Sequence, residues 1–280
     1  MACAVSPRAE ADRTSLASSF GAVATSYAEH RPDYARAAVT WALETAPGRR
    51  VLDLGAGTGK LTATLASLRA DVIAVEPDLA MLSELRRADP AVEAVRGSAE
   101  SIPLPDGSVD AVVAGNAMHW FDMAVAGPEI ARVLAPGGVL AGLWNVFDDR
   151  VGWIAGLERV SGPAAIGARD TLRDWRSQTA GLRRPGDGSI TWFGEPGVAE
   201  FPHGQQRTAD SLVATLATKA GMLVLPPPER AAALRRIRAH LANRRETADG
   251  EFILPMLTGV LRLRRLATPR VIDGGIPGDF

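Results

Sequence analysis

Residues 51–59 have the sequence Val51-Leu52-Asp53-Leu54-Gly55-Ala56-Gly57-Thr58-Gly59. An apolar segment leads into three glycines at alternate positions, and a helical pattern begins directly afterwards, near Lys60. Glycine in a strand-to-helix turn lets the backbone take open dihedral angles and lets a ligand approach with no Cβ in its way. The segment therefore predicts a buried strand, a ligand-binding loop and a helix, in that order.

The spacing of these glycines excludes two common phosphate-binding motifs. A dinucleotide-binding fingerprint G-x-G-x-x-G that begins at Gly55 would need glycine at position 60, where the chain has Lys60. A P-loop that ends at Gly59 and Lys60 would need glycine at position 54 and serine or threonine at position 61, where the chain has Leu54 and Leu61. The frame that remains is G-x-G-x-G.

Outward from the loop, short apolar segments alternate with helical ones. The pattern predicts strands over residues 50–54, 71–75, 92–96, 109–114 and 138–144, and helices over residues 60–68, 79–87 and 123–134. Strands that are apolar along their whole length and alternate with helices indicate a parallel sheet covered on both faces. Because crossover connections are right-handed, we expect an α/β fold with an open, doubly wound, Rossmann-like sheet.

The remaining patterns divide the chain into four regions. Residues 1–45 predict an arm and a helical cap that is broken at Arg31-Pro32, because the residue before proline avoids the helical region. Residues 46–145 hold the α/β core. Residues 146–190 predict an insert or lid after strand five, and residues 191–280 predict strands and helices that complete a seven-stranded, mostly parallel sheet. The elements expected beyond residue 146 are helices over 153–160, 169–178, 209–218 and 228–244, an extended segment over 191–201 and a strand over 251–263.

Composition excludes several classes of protein. The 280 residues include 31 basic and 32 acidic side chains, and the net charge of -1 excludes a globally cationic nucleic-acid binder. A single cysteine, Cys3, excludes a disulfide framework and a thiolate zinc cluster, and the histidines lack ligand-like spacing. No apolar segment approaches the roughly 18 residues that span a bilayer, and residues 1–11 lack the apolar core of a signal peptide. We therefore expect a cytoplasmic protein of enzyme size without a metal, either a monomer or a homodimer.

A second acidic position follows the second predicted strand. Glu76 ends the segment Val72-Ile73-Ala74-Val75 and comes 17 residues after Gly59. A carboxylate at the end of this strand can accept hydrogen bonds from the hydroxyls of a ribose. The alternative role, capping the helix that begins near Leu79, suits Asp78 better. Glu76 is therefore the candidate ribose ligand.

At these residues the chain resembles the class I S-adenosylmethionine-dependent methyltransferases, whose signature is an acid, then G-x-G-x-G, and a second acid after strand two. The segment from Gly97 to Asp110 is similar to the family's segment before strand four, in which an aspartate commonly contacts the adenine. Ser98 stands at that position here, so adenine recognition would rest on the Ala99 amide and the Glu100 region. The resemblance implies that S-adenosylmethionine is bound by Tyr27, Arg31, Asp53, Gly55, Ala56, Gly57, Gly59, Glu76, Pro77, Ser98, Ala99, Glu100 and Asn116.

Shorter motifs resemble the trans-aconitate methyltransferase-like, type 11 branch, which acts on small molecules. The motifs are Phe20-x6-Tyr27-x3-Arg31-Pro32-x-Tyr34, Ala117-Met118-His119-Trp120-Phe121 and Leu254-Pro255-Met256-Leu257-Thr258. The resemblance is specific over residues 20–145, weaker over 190–265 and absent over 146–190. In that branch the N-terminal segment closes over the cofactor, and Arg31 suits the cofactor carboxylate because its guanidinium pairs bidentately. The alternative is a surface arginine beside a helix break.

Methyl transfer from a sulfonium is an in-line displacement, so the protein mainly has to align the reacting groups in a water-poor pocket. A carboxylate acceptor is already ionised at neutral pH, whereas a hydroxyl benefits from a base such as histidine. His119 follows strand four at the carboxyl edge of the sheet, where ligands bind. It is the candidate base or, with Trp120 and Trp144, a substrate contact. The alternative is a packing residue beside Trp120.

The resemblance predicts a methyltransferase that acts on a small molecule, with O-methylation of a carboxylate or hydroxyl. Arginines in the C-terminal part favour an anionic acceptor, although a solvated helix face would explain most of them. Three alternatives stay open. A member of the fold could bind the cofactor and catalyse a rearrangement or cyclisation instead. An RNA methyltransferase is disfavoured by the neutral charge, and a nicotinamide-binding oxidoreductase is disfavoured by Lys60.

Overall fold

The computed structural model describes residues 30–167, 170–172, 175–176 and 192–267. Its strands are β1 Arg50–Leu54, β2 Asp71–Glu76, β3 Glu93–Arg96, β4 Val109–Gly115, β5 Leu134–Phe147, β6 Gly197–Thr208 and β7 Glu251–Arg264. Its α-helices are α1 Arg36–Leu43, α2 Lys60–Ser67, α3 Leu79–Ala88, α4 Met123–Val133, α5 Gly152–Ser161, α6 Ala209–Ala217, α7 Ala220–Leu223 and α8 Pro227–Ala242. A 3-10 turn covers Met118–Trp120.

The strands form one sheet in the order β3-β2-β1-β4-β5-β7-β6. Neighbours among β1 to β5 are parallel, and β7 is antiparallel to both β5 and β6. The prediction of a doubly wound, mostly parallel, seven-stranded sheet is confirmed. The chain runs from β1 outward to β3 and then returns to β4 on the other side of β1. The carboxyl ends of β1 and β4 therefore flank the crevice in which such sheets bind ligands.

Side chains of the central strands alternate between two buried layers. Val51 of β1 packs in a cluster with Val39 of α1 and Leu65 of α2. Its neighbour Leu52 packs in another cluster, with Ile130 of α4. Since successive residues of a strand face opposite sides of the sheet, these helices cover both faces. The apolar strands of the sequence are explained by this double covering.

Strand β6 overlaps the predicted extended segment only over residues 197–201. The extended segment was expected over residues 191–201, but β6 begins six residues later and ends seven residues later, at Thr208. It pairs with β7 along its whole length, from Gly197 opposite Arg262 to Thr208 opposite Glu251. As the edge strand it is only half-buried, so the apolar pattern that marks the central strands is missing from it.

Several predicted features fall outside the described residues. These are residues 1–29, with Cys3 and Tyr27, and half of the helical segment expected over 169–178. The helix expected over 153–160 is present as α5. None of the helices in the described ranges is both long enough and apolar enough to cross a bilayer. In the same ranges, no group of three or more histidine, cysteine, aspartate or glutamate side chains is arranged to hold a metal ion.

Candidate active site

The glycine loop joins β1 to α2 in the conformation that its sequence requires. The φ angles are +70° at Gly55, +58° at Gly57 and +90° at Gly59, all in the left-handed region that glycine adopts without strain. A Cβ on Gly57 would have no heavy atom within 4 Å, so this glycine leaves open space above the loop. A Cβ on Gly59 would lie 3.0 Å from the Leu85 Cγ, so this glycine lets the loop pack against α3.

A cavity of about 780 Å³ opens along the carboxyl ends of β1, β2, β4 and β5. This volume is typical of a site for a cofactor and a small molecule. The predicted site residues in its wall are Arg31, Asp53, Gly55, Ala56, Gly57, Glu76, Pro77, Ser98, Ala99, Glu100, Asn116, His119, Trp120 and Trp144. Gly59 is not part of the wall, and Tyr27 lies outside the described residues. The structure thus brings together nearly all of the residues that the resemblance implied.

The Glu76 carboxylate connects the end of β2 to the glycine loop. Its Oε2 accepts a hydrogen bond of 2.8 Å from the Gly57 amide, and its Oε1 accepts one of 2.9 Å from the Asp78 amide. Burial raises the pKa of Glu76, while these two hydrogen bonds act in the opposite direction. Asp78 itself caps α3, accepting from the amides of Ala80 and Met81. The helix-capping role therefore belongs to Asp78, as expected from the sequence.

Asp53 at the end of β1 is fully buried and lies in the cavity wall. Its Oδ2 accepts a hydrogen bond of 2.6 Å from the Thr62 hydroxyl. Among the described residues no donor reaches its Oδ1. Burial raises the pKa of Asp53 to about 7; the hydrogen bond from Thr62 opposes the shift, and the charge of Glu76 adds to it. Since an unsatisfied buried carboxylate oxygen is costly, this oxygen is suited to a donor supplied by a ligand.

The segment after β3 forms a tight turn beside Glu76. A Cβ on Gly97 would lie 2.6 Å from the Pro103 Cδ, so the chain doubles back closely at this point. Ser98 and Ser101 form an isolated antiparallel bridge. The Glu100 carboxylate accepts a hydrogen bond of 3.0 Å from the Asp122 amide, which ties this turn to the start of α4. Glu100 therefore has a structural partner as well as a place in the cavity wall.

At the end of β4 the backbone is strained. Asn116 has a φ of +50°, which is uncommon for any residue other than glycine. Its side chain accepts a hydrogen bond of 3.1 Å from the Asn145 amide, and its own amide donates to the Leu143 carbonyl at 2.8 Å. Such strain concentrates at functional sites, where the surrounding structure holds it in place.

His119 and two tryptophans line the cavity beyond Asn116. The ring centroids of His119 and Trp120 are 5.0 Å apart, so His119 packs against Trp120 and faces the cavity as well. Trp144 on β5 stacks on Trp175, with centroids 6.0 Å apart. This part of the wall is mainly aromatic, with the imidazole as its titratable group.

The sequence analysis missed a further part of the cavity wall, which we call the distal wall: Pro163, Ala164, Gly167, Asp170, Lys219 and Gly221. The Lys219 Nζ and the Asp170 Oδ1 form an ion pair. Burial lowers the pKa of Lys219, and the charge of Asp170 works against this. Burial opposes the ionisation of Asp170, but the charge and hydrogen bond of Lys219 outweigh it and keep the pKa of Asp170 below its ordinary value. One feature of the sequence could have drawn attention to Lys219: it is one of two lysines, with Lys60, among 31 basic residues.

Hydrogen bonds hold the segment from His30 to Ala35 against the carboxyl ends of the strands. The Asn145 side-chain amide donates to the Pro32 and Asp33 carbonyls at 3.3 and 3.1 Å, and the Thr258 hydroxyl accepts from the Ala35 amide at 3.1 Å. These contacts hold this part of the predicted cap beside the cavity, with Arg31 in the wall.

Comparison with known proteins adds three findings. Residues 52–142 match a family described as a methyltransferase domain. An uncharacterised methyltransferase of Mycobacterium tuberculosis is 38% identical over 251 residues, which cover 89% of this chain and 97% of that protein. A demethylmenaquinone methyltransferase of Beutenbergia cavernae is 35% identical over 158 residues, 51% of this chain and 66% of that protein.

Solved structures share the fold. A protein of Anaeromyxobacter dehalogenans assigned as a type II methyltransferase aligns with a TM-score of 0.55 and 24% identity, over 86% of this chain and 99% of that one. The match to the domain family ends at residue 142. The distal wall is therefore built from parts of the chain that the domain family does not include.

Proposed function

Because the chain belongs to the family of S-adenosylmethionine-dependent methyltransferases, we propose that this enzyme transfers the methyl group to an oxygen of a small molecule, a carboxylate or a hydroxyl. The proposal rests on the lining of the cavity, which combines two different groups of residues. One end has the glycine loop and Glu76, and the other has His119 and Trp144. Cofactor and acceptor would meet between these ends, near the strained Asn116.

The residues at the first end fit S-adenosylmethionine. The open space above Gly57 admits the cofactor close to the backbone. The remaining lone pairs of the Glu76 carboxylate would accept from the ribose hydroxyls. The Asp53 Oδ1 would accept from the cofactor's ammonium group, and Arg31 would pair with its carboxylate. The adenine would lie against Ser98, Ala99 and Glu100.

The second end suits methyl transfer without an elaborate catalytic group. Bound S-adenosylmethionine supplies a methyl group on a positively charged sulfur, and the charge disappears as the methyl is transferred. Trp120, Phe121 and Trp144 line the cavity with apolar surface, which keeps water from the reacting atoms. An acceptor carboxylate needs no base at neutral pH, so positioning by the wall is sufficient for this chemistry.

Release of S-adenosylhomocysteine tests the proposed reaction. Purified protein is incubated with methyl-labelled S-adenosylmethionine and a small-molecule extract, and in parallel with total RNA. We expect S-adenosylhomocysteine and a labelled small product in the first incubation and no labelled RNA in the second. Conversion of a small molecule without label or S-adenosylhomocysteine would support a rearrangement or cyclisation. Label in the RNA alone would contradict a small-molecule acceptor.

His119→Ala distinguishes a carboxylate acceptor from a hydroxyl. With a carboxylate, we expect the acceptor KM to rise about 3- to 10-fold through loss of a contact, with kcat nearly unchanged. The rate should then be flat between about pH 6 and 8. With a hydroxyl and His119 as its base, kcat should fall about 10² to 10⁴-fold, and the rise in rate near pH 6 to 7 should disappear.

The control is His240→Ala, which removes a histidine that is not part of the cavity wall. We expect it to leave kcat, KM and the pH profile unchanged. If His119→Ala behaves like this control, then His119 is a packing residue beside Trp120 and has no part in the site.

A further inference from the structure

The distal wall lies beside the carboxyl end of β5. The Phe147 amide donates a hydrogen bond of 2.7 Å to the Asp170 carbonyl, which fixes Asp170 at the carboxyl end of β5. The Lys219 ammonium lies 5.7 Å from the centroid of the Phe147 ring. In the sheet β5 is separated from β1 by β4. Asp53 lies on β1, and the glycine loop follows directly after that strand. The ion pair is therefore placed on the β5 side of the cavity, away from Asp53 and the glycine loop.

The Lys219 ammonium has hydrogen-bonding capacity that the described protein atoms do not use. An ammonium group has three donors, and Asp170 Oδ1 takes one. Across the described ranges, the structure shows no second hydrogen-bond acceptor for Lys219. Asp170, by contrast, uses both oxygens, since its Oδ2 accepts from the Gly167 amide at 2.9 Å. The pair therefore presents donors to the cavity.

The wall around the pair is made of small residues, so a ligand can reach the ammonium. A Cβ on Gly221 would lie 2.6 Å from the Ala164 carbonyl oxygen, so only glycine allows this close approach of two backbone segments. Pro163, Ala164 and Gly167 complete the surface without long side chains. The close approach of these backbone segments therefore limits the size of this part of the cavity, and the ion pair makes it polar.

The charge balance of the wall selects the kind of anion. Arg31 lies beside the pair, since its Nη2 donates to the Thr218 carbonyl at 3.2 Å. With the charge of Arg31 taken up by the carboxylate of the cofactor, Lys219 and Asp170 leave this part of the wall close to neutral, and the unused ammonium donors then suit a singly charged carboxylate better than a phosphate of charge about −2. A buried ion pair is weak evidence for stability alone, so a role in binding explains its presence better.

We propose, on the basis of the proposed function, that the distal wall binds a carboxylate group of the acceptor. The Lys219 ammonium donates to the carboxylate, and Asp170 is a positioning residue that aims the ammonium into the cavity. The acceptor is therefore a small carboxylic acid. Lys219 decides specificity and takes no part in binding S-adenosylmethionine.

Binding of simple acids to the protein saturated with S-adenosylhomocysteine tests this proposal. The probes are glutarate, benzoate and octanoate, each compared with its neutral amide, and the readout is tryptophan fluorescence, because Trp120 and Trp144 line the cavity. We expect at least one acid to bind more tightly than its amide. Lys219→Met should weaken that acid about 10- to 100-fold, the value of a charge-assisted hydrogen bond, and leave S-adenosylhomocysteine binding unchanged.

Matched variants separate binding from folding and from net charge. Lys60→Met removes the other lysine and so the same charge, but it lies outside the wall and should leave acid binding intact. The double variant Lys219→Met/Asp170→Leu leaves no unpaired buried charge and should lose acid binding as Lys219→Met does. Asp170→Asn should also weaken the acid. Stronger acid binding in Asp170→Asn would show that Asp170 only reduces the local charge, and would overturn its positioning role.

Two failures can be told apart. If S-adenosylhomocysteine binds but no acid binds, or the amides bind as tightly as the acids, the acceptor proposal is wrong and the proposed methyl transfer stands. Unchanged acid binding in Lys219→Met has the same meaning. If S-adenosylhomocysteine does not bind, the proposed function itself fails.

Discussion

Glu76→Ala is expected to weaken S-adenosylhomocysteine binding by about 10- to 150-fold, because a hydrogen bond to a charged group contributes about 1.5 to 3 kcal/mol. The variant loses the proposed acceptor for the ribose hydroxyls. It also loses the hydrogen bonds that the carboxylate receives from the Gly57 and Asp78 amides, which fix the glycine loop. Titration calorimetry gives the dissociation constant directly.

Asp78→Ala is the matched control for this change. Asp78 is the neighbouring acid and also lines the cavity, but its carboxylate caps α3. We expect its loss to lower stability by about 1 kcal/mol, the usual value of a helix cap, and to change the dissociation constant far less than Glu76→Ala does. Equal losses of affinity in the two variants would contradict the assignment of Glu76 to the ribose.

Asp53→Asn is expected to make the unliganded protein more stable at pH 8. Burial raises the pKa of Asp53 from an ordinary 3.8 to about 7, so between these values the folded protein holds a proton that the unfolded chain has released. Stability therefore falls as pH rises through this interval. The full cost above about pH 7 is on the order of 2 to 4 kcal/mol, or roughly 5 to 15 °C in the unfolding midpoint for a chain of this size.

Thermal unfolding between pH 5 and 8, followed by circular dichroism, measures this effect. The asparagine variant should lack the decline attributed to Asp53. It should also bind S-adenosylhomocysteine more weakly, because the proposed acceptor for the ligand's ammonium group is gone. Asp110→Asn is the control, because the pKa of Asp110 is shifted in the opposite direction. The hydrogen bond from Arg50 holds the pKa of Asp110 below its ordinary value. Its effect should be constant from pH 5 to 8. If the unfolding midpoint changes with pH in the same way in the parent and in Asp53→Asn, then Asp53 is not a buried, protonated carboxyl.

The core of the fold was predictable because its signals are local. Strand β1, the glycine loop and α2 follow one another within 18 residues, from Arg50 to Ser67, and the glycine positions exclude the competing motifs. The right-handed crossover rule then converts the alternation of strands and helices into a sheet order. The bounds of strand β6 were predicted inaccurately, because an edge strand lacks the continuous apolar pattern of a central strand.

The distal wall was not predictable because its parts are distant in the chain, and the rarity of lysine singles out Lys219 without indicating its partner. Asp170 and Lys219 are separated by 49 residues, and nothing in either neighbourhood indicates an ion pair. The hydrogen bond between Ala35 and Thr258 was unpredictable for the same reason, since these residues are 223 positions apart in the chain. Contacts of this kind are set by the packing of the whole sheet. For this reason the sequence patterns predicted the residues that line the cavity around the glycine loop but did not predict the distal wall.

Titration calorimetry of the unchanged protein with S-adenosylhomocysteine, NAD and ATP tests the central claim most directly. The claim is that the glycine loop, Asp53 and Glu76 form a site for S-adenosylmethionine. It predicts saturable binding of S-adenosylhomocysteine with a dissociation constant well below about 1 mM, a binding free energy stronger than roughly −4 kcal/mol, and no binding of NAD or ATP. Absence of heat with S-adenosylhomocysteine at millimolar concentration, or equal binding of NAD, would contradict it.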